Sequence, residues 1–146
     1  MLTPKQRLRP NPPNWRAWVR ARVSWGRLFR FGVVGLSGIV VNLVFVRLFF
    51  GHLHWSPSLA AALASELAVV NNFLWNNWWT FGQQRVSVRR FVRFNVASLG
   101  GLAITTGVFT VLIQLFGLYY VIANLIAIGA ATTWNFAASV FWTWAS

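Results

Sequence analysis

The chain contains no cysteine and no aspartate, and its single acidic residue is Glu66. Without cysteine it has no disulfide framework, no thiolate metal site and no thiol nucleophile. With one carboxylate it also lacks the paired groups that acid–base or metal-assisted catalysis usually needs. We therefore predict no catalytic residues, no metal and no cofactor, and expect a protein that is not an enzyme.

Charged residues of any kind are scarce, at 10% of the chain, whereas 57% of the residues are apolar and ten are tryptophan. This composition cannot give a soluble domain with a polar surface, and it predicts a membrane protein. The net charge of +12 could suggest nucleic acid, but the bases flank apolar runs and form no basic face. We expect anionic lipids as partners and no nucleic acid.

Four apolar runs are long enough to cross a bilayer, because about 20 helical residues span a hydrocarbon core of about 30 Å. They lack the alternation of membrane barrel strands. The sequence thus predicts an all-α membrane protein with four transmembrane helices in two tandem two-helix repeats, after an amphipathic interfacial helix. The predicted segments are a flexible basic tail at 1–13, the interfacial helix at 14–26, a first repeat at 27–82 with spans 31–50 and 58–78, a cytoplasmic loop at 83–89, and a second repeat at 90–146 with spans 94–116 and 120–142.

The interfacial helix is predicted from tryptophans clustered on one side and arginines on the other, the pattern of a helix lying in the head-group region. Gly26 is expected to let the chain turn into the membrane.

An internal duplication is indicated by the stretch Asn71–Phe81, which recurs in weaker form 63 residues later as Trp134–Trp144. The matches in this register include Asn72 with Asn135, Trp79 with Trp142, Arg27 with Arg90 and Arg30 with Arg93. A repeat of this kind predicts two structurally similar units. Because each unit has two helices, both enter the membrane from the same side, which predicts a twofold relation about the membrane normal.

The orientation follows from the bases, twelve of which lie before or at the start of the first span or around the loop at 83–89. The positive-inside rule then places both termini and this loop in the cytoplasm of a multi-pass protein of the inner, cytoplasmic membrane. Only Arg47, near the outer end of the first span, departs from the pattern.

Polar residues on the second and fourth spans recur every three or four positions and so form one stripe on each helix. The stripes contain Asn72, Asn76 and Trp79 on one helix, and Asn135, Ser139 and Trp142 on the other. Such side chains either join helices by hydrogen bonds or line a cavity. The sequence leaves both alternatives open.

Arg30 and Arg93 enter the first and third spans, each predicted to lie near the tryptophan that ends the following helix. A guanidinium presents a fork of donors that suits phosphate oxygens, so these arginines could hold a lipid phosphate. The alternative is that they only anchor the helices at the interface.

Glu66 is predicted about a third of the way into the bilayer, where a carboxylate costs roughly 2.5 kcal/mol or more and needs a partner. We expect either a structural ion pair with Arg47 or a substrate or proton site.

One set of residues resembles the GtrA-like family over residues 27–144: Arg30-Phe31, Asn42, Asn72-Phe73, Asn76 and Trp79-Thr80-Phe81, repeated in part as Arg93-Phe94, Asn135-Phe136 and Trp142. That resemblance implies a small four-span protein that translocates, or flips, a polyprenyl-phosphate-linked sugar for cell-surface polysaccharide synthesis. With the stripes, it gives the candidate substrate-binding residues Arg30, Arg93, Asn72, Asn76, Trp79, Asn135, Ser139, Trp142 and Glu66. The second copy departs from the first at Ser139 and Trp144, which replace Asn76 and Phe81.

Two other functions stay open. The first is a membrane anchor or scaffold for a polyprenyl-phosphate glycosyltransferase, without transport. The second is a small multidrug-resistance-type antiporter that uses Glu66, although that family has its glutamate in the first helix. Because four short helices enclose little volume, a homo-oligomer is also possible.

Overall fold

A computed structural model describes Val19 and residues 23–145, in which the chain is helical and contains no strand. The helices are α1 (Trp25–Val46), α2 (Pro57–Trp75), α3 (Val88–Gln114) and α4 (Tyr120–Ala138). Wider π-helical turns continue α1 over Arg47–His52, α2 over Asn76–Thr80 and α4 over Ser139–Thr143. With these turns, each of the four helices is long and apolar enough to cross a membrane. The predicted all-α, four-span fold is confirmed.

The helix starts are set by local capping. Ser24 precedes α1, and its hydroxyl accepts a hydrogen bond from the Arg27 N–H at 3.2 Å, as an N-cap residue does. Gly26 lies inside α1, so the turn that we expected at Gly26 is not observed there. Pro57 is the first residue of α2, where its missing N–H costs nothing. The predicted tail at 1–13 and most of the predicted interfacial helix lie outside the described residues.

The two hairpins, α1 with α2 and α3 with α4, meet in an aromatic core. Phe31 of α1 packs against Phe136 of α4 with ring centroids 5.5 Å apart. Phe73 of α2 packs against Phe94 of α3 at 5.8 Å, and these two contacts are related by the 63-residue offset. Below we call the end of the bundle that carries Arg30 and Arg93 the arginine end. The core lies at this end, since Phe31 and Phe94 directly follow the two arginines.

Within each hairpin, a glycine lets the helices approach closely. Gly38 and Gly101 are buried, and a Cβ atom on either would overlap the amide of Asn72 or Asn135, respectively. The outward surface is apolar, with large side chains more than half exposed, such as Leu36, Leu43, Leu99 and Leu102. A surface of this kind suits contact with lipid. The duplication itself remains a prediction, and these matched contacts support it.

Candidate functional site

Arg30 and Arg93 make the same two contacts, 63 residues apart. Arg30 Nη1 donates to the backbone oxygen of Trp79 at 3.2 Å, and Arg93 Nη1 donates to that of Trp142 at 2.9 Å. Each guanidinium also lies over the indole of that tryptophan, 5.7 and 5.8 Å from the ring centroid. The last carbonyls of a helix lack helical partners and carry partial negative charge. Each arginine therefore caps the end of its neighbouring helix.

Capping leaves further N–H donors on both arginines. A guanidinium has five N–H donors, and within the described residues Arg30 and Arg93 each form one side-chain hydrogen bond. The Arg30 side chain is exposed and that of Arg93 is half-buried. A phosphate could therefore accept hydrogen bonds from either residue without displacing the tryptophan carbonyl.

Arg90, which the repeat pairs with Arg27, has a different task. Its guanidinium donates to Gln83 Oε1 at 2.7 Å and to the backbone oxygen of Arg85 at 2.6 Å. Asn77 Nδ2 donates to that same oxygen at 3.4 Å. Arg90 therefore fastens the loop between α2 and α3 to the bundle.

The π-helical turns shape the arginine end. The Phe81 N–H bonds to Asn76 O, and the Trp144 N–H bonds to Ser139 O, both at 2.9 Å and both spanning five residues. Such turns are rare and frequently occur at functional sites. They bury polar side chains where a helix would otherwise end, namely those of Asn76, Asn77, Thr80, Ser139 and Thr143.

A cavity of about 240 Å³ lies between the four helices just inside the arginine end. Three of the predicted substrate-binding residues line it: Asn72, Asn76 and Asn135. A second, more open cavity of about 270 Å³ shares Gly35, Ile39 and Asn72 with the first and continues to Asn42 and Ser65. Both cavities are lined mainly by apolar groups, and the polar side chains among them mark a path from the arginine end toward the middle of the bundle.

Ser139, predicted on the same path, is not among the residues that line either cavity and is fully buried. Its position in the first hairpin is taken by Asn76, whose Oδ1 accepts from the Thr80 hydroxyl at 2.8 Å. The shorter serine does not make this bond, and in the part of the chain that the structure describes, Ser139 Oγ, Thr143 Oγ1 and Asn135 Oδ1 have no hydrogen-bond partner. The polar stripe of α4 is therefore less satisfied than that of α2.

Glu66 and Arg47 form no ion pair within the described part of the chain, and both side chains are exposed. The structural pair that we considered is therefore not observed. Glu66 lies on the same face of α2 as Phe73 and Asn77, seven and eleven residues further on. Those two residues are buried, so this face is covered at the arginine end and uncovered at the depth of Glu66.

Sequence reasoning missed one buried polar contact across the bundle. Trp144 Nε1 donates to Asn77 Oδ1 at 3.2 Å, and the Trp144 ring stacks on Phe81 with centroids 4.3 Å apart. The positions related to Asn77 and Trp144 by the 63-residue offset hold Val140 and Phe81, whose side chains neither accept nor donate a hydrogen bond. The signal was available in the sequence, because both positions differ between the two copies.

Known proteins resemble this chain over the region just described. The family model described as "GtrA/DPMS, transmembrane domain" matches residues 30–144. The chain is 38% identical over 122 residues to a protein named dolichol-phosphate mannosyltransferase from Pyrococcus furiosus. That match covers 82% of this chain and 34% of the relative, so the chain spans about a third of the relative's length.

Proposed function

Because the chain belongs to the GtrA/DPMS transmembrane-domain family, a multi-pass membrane family, we propose that it moves a polyprenyl-phosphate-linked sugar across the cytoplasmic membrane. The name of its Pyrococcus relative points to the same class of lipid. The observation that carries the proposal is the path of two adjoining cavities, with amide side chains along it, beneath Arg30 and Arg93.

In this proposal the parts of the site act in sequence. Arg30 and Arg93, held in place by Trp79 and Trp142, bind the lipid phosphate at the head-group level through their remaining donors. The sugar enters the cavity and exchanges its water hydrogen bonds for those of Asn72, Asn76 and Asn135. The prenyl chain stays in the lipid beside the apolar outer surface. The path lowers the cost of moving a polar group through hydrocarbon, which would otherwise go without partners.

A second candidate function is a membrane anchor for a polyprenyl-phosphate glycosyltransferase. It is favoured by the relative, a named mannosyltransferase of which the matching segment is about a third. In this role the arginine end would bind the lipid phosphate and present it to the enzyme without transport. The antiporter is less well supported, because Glu66 lines neither of the two cavities.

The test uses protein reconstituted in liposomes with a labelled polyprenyl-phosphate hexose. We expect wild-type protein to expose the hexose on the opposite leaflet, and the Arg30→Gln/Arg93→Gln variant to lose most of this activity. The same variant should weaken binding of polyprenyl phosphate more than binding of polyprenol, because the alcohol carries no charge for the arginines to bind.

The matched control is Arg85→Gln/Arg89→Gln, which removes the same charge from exposed side chains at the same end. It should leave transport and selectivity near wild type. Equal losses for phosphate and alcohol, or equal losses in the control, would show that the arginines act only as anchors. Phosphate-selective binding without any transport would favour the anchor function.

A further inference from the structure

The central cavity is not placed symmetrically between the hairpins. Most of its lining residues belong to α1 and α4, while α3 and the continued α2 contribute two each. One of the lining residues, Leu36 of α1, is 64% exposed. A residue that lines a cavity and also faces the lipid marks where the cavity opens. The opening therefore lies at the seam between α1 and α4.

Glycine explains why this seam is open. Gly32 and Gly35 of α1 line the cavity, and a Cβ atom on either would have no atom within 4 Å. At the related positions of α3 stand Asn95 and Ser98. Asn95 Nδ2 donates to Phe91 O at 3.0 Å, and Ser98 Oγ donates to Phe94 O at 2.9 Å. The seam between α2 and α3 is thus filled by side chains at these positions, whereas the glycines leave the seam between α1 and α4 unfilled.

The polar groups of the cavity are amides. Asn72, Asn76 and Asn135 line it, although Asn135 Oδ1 is itself buried against Gly101 of α3 and Asn76 Oδ1 accepts from Thr80. An amide side chain both donates and accepts hydrogen bonds, whereas a prenyl chain does neither. A sugar hydroxyl does both, and the cavity has the size of a single polar ring.

We propose that the sugar of the lipid enters sideways between α1 and α4, through the gap left by Gly32 and Gly35. This inference rests on the proposed function and adds a route to it. The two hairpins then have unequal tasks: α1 and α4 form the entrance, and α2 and α3 close the opposite side.

The route is tested with a photoreactive benzoylphenylalanine placed at position 36 or at position 99. Leu99 is the residue related to Leu36, is 65% exposed against 64%, and does not line the cavity. Both variants, in lipid nanodiscs, are irradiated with a radiolabelled polyprenyl-phosphate hexose. We expect several-fold stronger capture at position 36, removed by excess unlabelled lipid.

The outcomes separate this inference from the proposed function. If the hexose lipid binds but is captured equally at both positions, or at neither, the lateral route is wrong and the proposed function stands. If wild-type protein does not bind the hexose lipid, the proposed function fails and the inference fails with it.

Discussion

At the scale of single residues, the contact between Trp144 and Asn77 shows how the hairpins differ without loss of stability. A buried amide oxygen without a donor costs about 1–3 kcal/mol. Asn77 is fully buried, and the Trp144 indole supplies its donor at 3.2 Å. The related pair, Val140 and Phe81, is apolar and needs no hydrogen bond. The Asn77–Trp144 pair thus has both an acceptor and a donor, and the related Val140–Phe81 pair has neither.

We predict that Trp144→Phe destabilises the protein by about 1–3 kcal/mol, because it leaves Asn77 Oδ1 buried without a donor. Adding Asn77→Val should recover part of this loss, since the double variant carries the apolar pair of the related positions. Thermal unfolding in detergent of the wild type, the two single variants and the double variant measures the coupling. Additive losses would mean that the hydrogen bond contributes nothing to stability.

At the scale of secondary-structure elements, each hairpin is held by a glycine against an asparagine. Gly38 faces Asn72 and Gly101 faces Asn135, so the backbones approach closely and the amides lie at the contact. The small-residue spacing of the sequence predicts this approach.

Gly38→Ala should therefore destabilise the protein by about 1–3 kcal/mol, the usual cost of overpacking, because its Cβ atom would overlap the Asn72 amide. Gly107→Ala is the control, since a Cβ atom there meets no atom within 4 Å and alanine favours the helix. Melting temperatures of the two variants give the comparison. A loss at position 107 as large as at position 38 would attribute the effect to glycine in general.

The sequence predicted much of this arrangement, and the missing part has a physical cause. Apolar runs and their length indicated the four helices, and the matched arginines and tryptophans indicated which residues meet at one end. The π-helical turns could not be predicted, because they differ from an α-helix only in which carbonyl oxygen accepts the hydrogen bond from each backbone N–H. The regular spacing of each stripe therefore does not hold through these turns. Ser139 is fully buried, whereas Asn135 lines the cavity.

At the scale of the whole molecule, the two hairpins are packed together at the arginine end, and part of the α2 surface is left exposed further along the bundle. The aromatic core joins them beside Arg30 and Arg93, while the α2 face that bears Glu66 is exposed. The distribution of bases assigns the arginine end to the cytoplasm.

We predict that a cysteine introduced by Ser87→Cys reacts with a membrane-impermeant maleimide only after the cells are opened, because Ser87 directly precedes α3 at the arginine end. The chain has no cysteine of its own, so the label reports one position. His52→Cys, at the exposed opposite end, should react in intact cells. The reverse pattern of labelling would invert the topology.

The Asn77–Trp144 contact also determines whether one half of the chain could replace the other. A protein built from two copies of the first hairpin would bury two amides opposite phenylalanine, and neither amide would find a donor. Two copies of the second hairpin would bury two indole N–H groups opposite valine. Each half is therefore complementary to the other and not to itself. If the halves were separated, they should reassemble as a heterodimer in preference to either homodimer.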